Sequence, residues 1–276
     1  MNDSPNPNPA RPHALVFDSG VGGLSVMREI AGLLPHVRLT YAADNAAFPY
    51  GTKSESELVA RVSAVIGALV ETIAPDIVVI ACNTASTTAL EAVRTFLKVP
   101  VIGVVPAVKP AAAASQSRVI GLLGTRATVA SSYTGTLIQQ FAAGCTVLTH
   151  GSPELVEAAE RKMQGLSVDP AEMAAILRRL FDQPGGDRLD TIVLGCTHFP
   201  LLGAELAAAA PRPVAWMDSG AAIARRVATM LGPIEPRAIA DSAAHRAIFT
   251  AETAFVGAMR PGLVDFGLRE IDFIAV

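Results

Sequence analysis

Three cysteines in 276 residues are too few, too far apart and odd in number to form a disulfide framework. Their thiols stay available in a reducing compartment, of which the cytoplasm is the simplest. Positive charge is not in excess: the formal net charge is -3 and the pI about 6.0. That removes the charge argument for nucleic acid or an anionic membrane as a partner. Long hydrophobic runs are missing too. Mean hydropathy is positive (+0.41), yet no apolar stretch approaches the ~18 residues of a spanning helix. The run 99–108 is broken by Pro100, Gly103 and Pro106. Lysine occurs only at Lys53, Lys98, Lys109 and Lys162, none of them in a recognisable Schiff-base site for pyridoxal phosphate. The five scattered histidines and isolated cysteines offer no metal-ligand spacing. The amino end, rich in Pro and Asn, is neither a signal nor a transit peptide and reads as a disordered lead-in over residues 1–12.

What is present is apolar: 51% of residues, enough for a substantial core in a chain whose 276 residues suffice for one large or two medium domains. In the stretch from Asp76 to Ser86, five apolar residues run into Cys82 and then Asn83, Thr84 and Ser86. Such a run fits a strand buried on both faces of a parallel sheet. Asn83, Thr84 and Ser86 are candidate caps of a following helix. Cys82 then lies at the carboxyl edge of the sheet, where open α/β sheets bind ligands and where a helix N-terminus favours a thiolate. Asp190 to His198 repeats the pattern, with the same spacing from aspartate to Cys196. A lone cysteine is usually a small buried hydrophobe. Two at equivalent strand ends, each followed by polar residues, point to a site.

The rest of the chain alternates strands and helices. Strands are expected at 13–17, 38–43, 101–105, 119–123, 146–149 and 214–217. Helices are expected after Gly23, after the capping box Ser54 to Glu57, through about Leu97, at 107–114, around 133–141 and from Pro153 to about Phe181. From Ala221 onward the pattern shows one helix and then apolar alternation. This predicts an α/β fold of two similar domains, each a mostly parallel sheet flanked by helices. They are related by a pseudo-twofold, with carboxyl edges facing and the active site between them. One domain is expected over 13–105 with 214–276, the other over 106–213.

Asp18 to Gly23, Pro49-Tyr50-Gly51, Ala81 to Ser86, Gly124-Thr125 with Thr128, and Gly195 to Leu202 together resemble the glutamate racemases of the cofactor-independent aspartate/glutamate racemase superfamily. The resemblance runs from residue 18 to 220. It implies interconversion of L- and D-glutamate without cofactor or metal, in the cytoplasm, supplying D-glutamate for peptidoglycan, cell-wall biogenesis and cell shape. It implies glutamate as the small-molecule partner, with a homodimer as the candidate assembly. It makes Cys82 and Cys196 the two bases, Cys82 acting on D-glutamate and Cys196 on L-glutamate. Asp18 assists Cys82 and His198 assists Cys196. Glu160 becomes a catalytic-shell residue, with Glu157 and Glu154 as competitors nearby. Asp18, Ser19, Tyr50, Gly51, Asn83, Thr84, Thr125, Thr128, Thr197 and His198 match substrate-binding positions. Taken singly, Asp18 also suits a helix cap, His198 a helix start, Tyr50 loop packing and Glu160 a solvated helix face. Cys145 has no matching frame and reads as structural, and the segment from Phe249 carries no expected site.

The chemistry fits the residue types. Racemisation takes a proton from one face of a carbon and returns one to the other, so two groups on opposite sides are needed. A thiol titrates near 8.5, and its surroundings can lower that value. Other readings are an aspartate or hydantoin racemase and a non-catalytic amino-acid-binding protein, which needs no thiols. Gly20-Val21-Gly22-Gly23 suggests a nucleotide loop, but the third glycine of the dinucleotide fingerprint and the Walker lysine are absent.

Overall fold

The computed structural model describes residues 11–233 and 245–276. Most of the expected lead-in, residues 1–10, lies outside the described residues. The strands build two sheets in which every pairing is parallel.

The first sheet is organised on β1 (His13–Asp18), every residue of which is buried. β1 lies between β2 (Arg38–Ala43) and β3 (Ile77–Ile80), and β4 (Val101–Gly103) pairs with β3. α1 (Leu24–Leu33), α2 (Glu55–Ile73) and α3 (Asn83–Phe96) connect these strands. The Ser54–Glu57 capping box starts α2 as expected. None of Asn83, Thr84 and Ser86 caps α3, however. The N-cap is Cys82 itself, and the Ser86 hydroxyl instead donates to Ile80 O at 2.9 Å. The register sets Phe17 beside Ile80, so Asp18 and Cys82 emerge together at one edge.

The second sheet is centred on β5 (Val119–Gly124), between β6 (Thr146–Gly151) and β7 (Thr191–Gly195). β8 (Ala215–Met217) pairs with β7. Residues 214–217 had been expected in the first domain, but their hydrogen bonds place them in the second sheet. α4 (Val108–Ala114), α5 (Arg126–Ala130) and α6 (Ser132–Phe141) also belong to this half. The single helical region expected from Pro153 is two helices, α7 (Pro153–Met163) and α8 (Pro170–Phe181). Gly165 takes a left-handed φ of 78° between them, and Asp169 caps α8 with Pro170 in its first turn. α9 (Gly203–Ala209) follows the Cys196 loop, and α10 (Gly220–Leu231) packs against α1.

The carboxyl end is more ordered than its pattern implies. β9 (His245–Phe249) adds to β2, α11 (Ala254–Val264) crosses over, and β10 (Leu268–Phe273) adds to β9. Among the described residues the first sheet therefore has six strands. Among the described residues no helix is long and apolar enough to cross a membrane.

Candidate active site

The carboxyl edges of both sheets open into one cavity of about 280 Å³. Ser19, Tyr50, Gly51, Cys82, Asn83, Thr84, Thr125, Cys196, Thr197 and His198 line it. The sequence spreads these residues over 180 positions; the two strand-end cysteines bring them to one place.

Both cysteine sulfurs are free and nearly buried. Cys82 lies 3.8 Å from the Ser19 hydroxyl. Burial pushes the Cys82 thiol well up, helped by the Asp18 carboxylate and the Cys196 sulfur and opposed by the Ala85 N–H and Ser19. Burial therefore outweighs the start of α3, which was expected to favour the thiolate. Cys196 has a different neighbour. Its sulfur is 3.7 Å from His198 Nδ1, and His198 Nε2 is 2.8 Å from Glu160 Oε1. Burial by itself would pull the His198 imidazolium down. The hydrogen bonds and negative charge of Cys196 and Glu160 outweigh it and hold the ring well above the ordinary histidine value. Glu160, on α7, is thus the carboxylate that bonds His198. Glu157 only lines the cavity, and Glu154 pairs with Ser152 at 2.8 Å.

Three expected site residues lie behind the cavity wall. Asp18 is wholly buried and accepts from the Ser19 N–H at 2.5 Å and the Thr197 hydroxyl at 2.8 Å. It thereby ties the edge of the first sheet to the Cys196 loop. Thr128 is also wholly buried, with its hydroxyl 2.9 Å from that of Thr125. It orients Thr125, which lies 3.5 Å from Thr84 across the two halves. Glu160 accepts from Val21 N at 2.9 Å as well as facing His198. No side chain fits at Gly20 or Gly22: a Cβ there would strike Glu160 or the Thr197–His198 pair. That close approach accounts for the glycines that imitate a nucleotide loop.

Phe48, Pro49, Thr52, Arg126, Pro153, Val156 and Glu157 complete the lining. Pro49 stands in a quoted motif and Glu157 was a named competitor of Glu160, whereas Phe48, Thr52, Arg126, Pro153 and Val156 were not marked. Phe48 tilts against His198, with ring centroids 6.0 Å apart. Proximity to Pro49-Tyr50-Gly51 and Thr125 was the available signal for Phe48, Thr52 and Arg126; nothing on α7 marked Pro153 or Val156. Among the described residues, Asn83 Oδ1 is buried with no partner, and Asn83 lines the cavity. It offers an acceptor to a ligand that carries N–H groups. No group of three or more His, Cys, Asp or Glu side chains among the described residues is arranged to hold a metal.

The family described as Asp/Glu/hydantoin racemase matches residues 22–227. A glutamate racemase of Sphingopyxis alaskensis is 53% identical over 223 residues, 80% of this chain and 83% of that protein. A glutamate racemase of Salmonella paratyphi A is 48% identical over 270 residues, 98% of this chain and 94% of its own length. The crystal structure of Escherichia coli glutamate racemase, in complex with L-glutamate and the activator UDP-MurNAc-Ala, superposes with a TM-score of 0.90 at 46% identity. It covers 97% of this chain and 99% of that one.

Proposed function

The chain belongs to the Asp/Glu/hydantoin racemase family, and we propose that it racemises glutamate by passing the α-proton between two thiols. It is an amino-acid racemase, and its glutamate racemase relatives support glutamate as the substrate. The observation that carries the two-thiol mechanism is the pair Cys82 and Cys196. They end strands of different sheets and line one cavity.

A substrate in that cavity has one sulfur on each side of its α-carbon. Cys196, beside the His198 imidazolium, is the thiolate that abstracts from L-glutamate. Cys82, whose buried thiol resists ionisation, is the donor on the other face. The roles reverse for D-glutamate. Asn83 Oδ1 accepts from the substrate ammonium. The hydroxyls of Thr84 and Thr125, with backbone N–H groups at the start of α3, meet carboxylate charge and the enolate that develops. Each positioned acid–base group contributes ~10²–10⁴-fold. Both protons are handled by side chains of the chain, so the mechanism uses no cofactor. The resemblance to glutamate racemases extends the reading to supply of D-glutamate for peptidoglycan.

Two measurements test this. Turnover in deuterium oxide is expected to place solvent deuterium at the α-carbon, and none would appear if the protein only binds its ligand. Cys82→Ser and Cys196→Ser are each expected to lose at least about 10²-fold in racemisation while remaining folded, because a hydroxyl is a far weaker acid than a thiol. Near-parent racemisation by either variant would end the two-thiol assignment.

A further inference from the structure

Asp44 follows β2, and its N–H donates to Asp18 O at 2.9 Å. Its side chain is wholly buried and belongs to no expected site. Four donors converge on its two oxygens. Arg61, on α2, gives Nη2 to Oδ1 at 2.7 Å and Nε to Oδ2 at 2.9 Å. The Thr250 hydroxyl reaches Oδ1 at 2.7 Å and the Tyr50 phenol reaches Oδ2 at 2.6 Å. Burial pushes the Asp44 carboxyl up, and the bonds from Arg61, Tyr50 and Thr250 outweigh it, holding the group below its ordinary value. Asp44 is thus a fixed negative charge.

The partners come from three places. Arg61 braces α2 and also donates to Val276 O at 2.6 Å. Thr250 follows β9, and its hydroxyl accepts from Ala46 N at 3.0 Å. Beside it, Asn45 bonds the backbone of Ala251 in both directions, at 2.8 and 2.9 Å. Tyr50 lies within Phe48 to Thr52, five consecutive residues that line the substrate cavity. Its phenol has one proton, and Asp44 takes it. The ring and backbone of Tyr50 therefore form the wall, and its hydroxyl has no proton to give a substrate.

We propose that Asp44 is a positioning residue that anchors the Phe48–Thr52 wall of the cavity to the segment after β9, and so sets the affinity for glutamate. The role rests on the racemase reading above. It assigns function to the carboxyl-terminal segment, since Thr250 supplies one of the four donors. It also makes Tyr50, matched to a substrate-binding position, a braced surface rather than a donor. The wall touches the substrate in ground state and transition state alike, so loosening it acts on KM more than on kcat.

The experiment is steady-state racemisation of both glutamate enantiomers by the full chain and by Asp44→Asn, Tyr50→Phe, Thr250→Val and Asp44→Asn/Tyr50→Phe, with thermal melts of each. Tyr50→Phe and Thr250→Val each remove one donor and are expected to raise KM by roughly three- to tenfold, the scale of one hydrogen bond, with kcat nearly unchanged. Asp44→Asn is expected to raise KM by more, because its amide leaves one neutral acceptor for four donors and turns an NH2 toward the others, and adding Tyr50→Phe to it should raise KM by less than it does in the parent. Should Asp44→Asn fail to fold, the two single-donor variants decide the matter. Unchanged KM in both of them overturns the role, and so does a fall in kcat at constant KM. Full additivity in a folded double variant overturns it as well. A parent chain that does not racemise glutamate overturns the functional reading and this role together; a parent that does, with KM unmoved in the variants, overturns the role alone.

Discussion

Replacing Gly22 by alanine tests how closely the His198–Cys196 pair is held. The new Cβ would lie 2.7 Å from Thr197 Oγ1 and 2.8 Å from His198 N, and closer still to His198 Nδ1. Ordinary contact begins at 3.4 Å. The His198 backbone must therefore retreat by 3.4 − 2.8 = 0.6 Å, and its ring by more. Overpacking of this kind costs about 1–3 kcal/mol of stability. The catalytic cost is larger, because a misplacement on the order of 1 Å can lose roughly 10²-fold in rate. The direction of the loss is informative only in the right assay. The two enantiomers are equal in energy, so kcat/KM for racemisation must fall equally both ways whichever thiol is disturbed. Elimination from a glutamate analogue with a β-leaving group is irreversible and reports each deprotonation separately. For Gly22→Ala, elimination from the L-analogue, assigned to Cys196 in the proposed mechanism, is expected to fall about 10²-fold. Elimination from the D-analogue, assigned there to Cys82, is expected to fall by less than about tenfold, the remainder passing through Thr197 to Asp18. Gly32→Ala is the control: nothing lies within 4 Å of its Cβ, and it should gain up to about 1 kcal/mol of helix stability without changing either rate. Parent-like racemisation by Gly22→Ala, or equal loss with both analogues, refutes the reasoning.

Glu160→Gln keeps an acceptor beside His198 Nε2 but removes the charge that helps hold the imidazolium up. The His198 pKa is expected to drop, moving the basic limb of the kcat/KM profile to lower pH; an unmoved limb would refute the Glu160–His198 coupling. At the opposite edge of the first sheet, His13 is lowered from 6.5 to about 4, by burial first and then by the charges of Arg38 and Arg246. The unfolded chain binds that proton near pH 6.5, whereas the fold resists it until about pH 4. Stability is therefore expected to decline between those values as pH falls, by up to about 3 kcal/mol, and to level off below them. Urea melts of the parent and His13→Gln should differ in slope over that window, and parallel profiles would rule the effect out.

The two cysteine strands were legible because β3 and β7 are buried on both faces, so nearly every residue must be apolar and the first polar one marks the sheet edge. The Ser54–Glu57 box was legible because both of its bonds close within four residues. Features set by partners distant in sequence left no such trace. Residues 164–169 separate α7 from α8 on one left-handed glycine, too small a signal against two apolar helix faces. β10 is mostly exposed, with its polar residues on a sheet edge, and so has no apolar run to find.

Residue types and spacing alone determined that two thiols end two buried strands, with polar side chains after each. Packing decided which sheet β8 joins, since its pattern is equally compatible with either. Packing also decided that Cys82 itself caps α3 and that burial pushes its thiol up. It set Glu160, rather than Glu157 or Glu154, at hydrogen-bond distance from His198. It placed Asp44 under Tyr50, Arg61 and Thr250, the last of them 206 residues away. An apolar run is recorded in the chain because every residue in it meets the same surroundings. A charge or proton answers to a few atoms at hydrogen-bond distance, and which atoms those are is settled only when the two sheets close on one another.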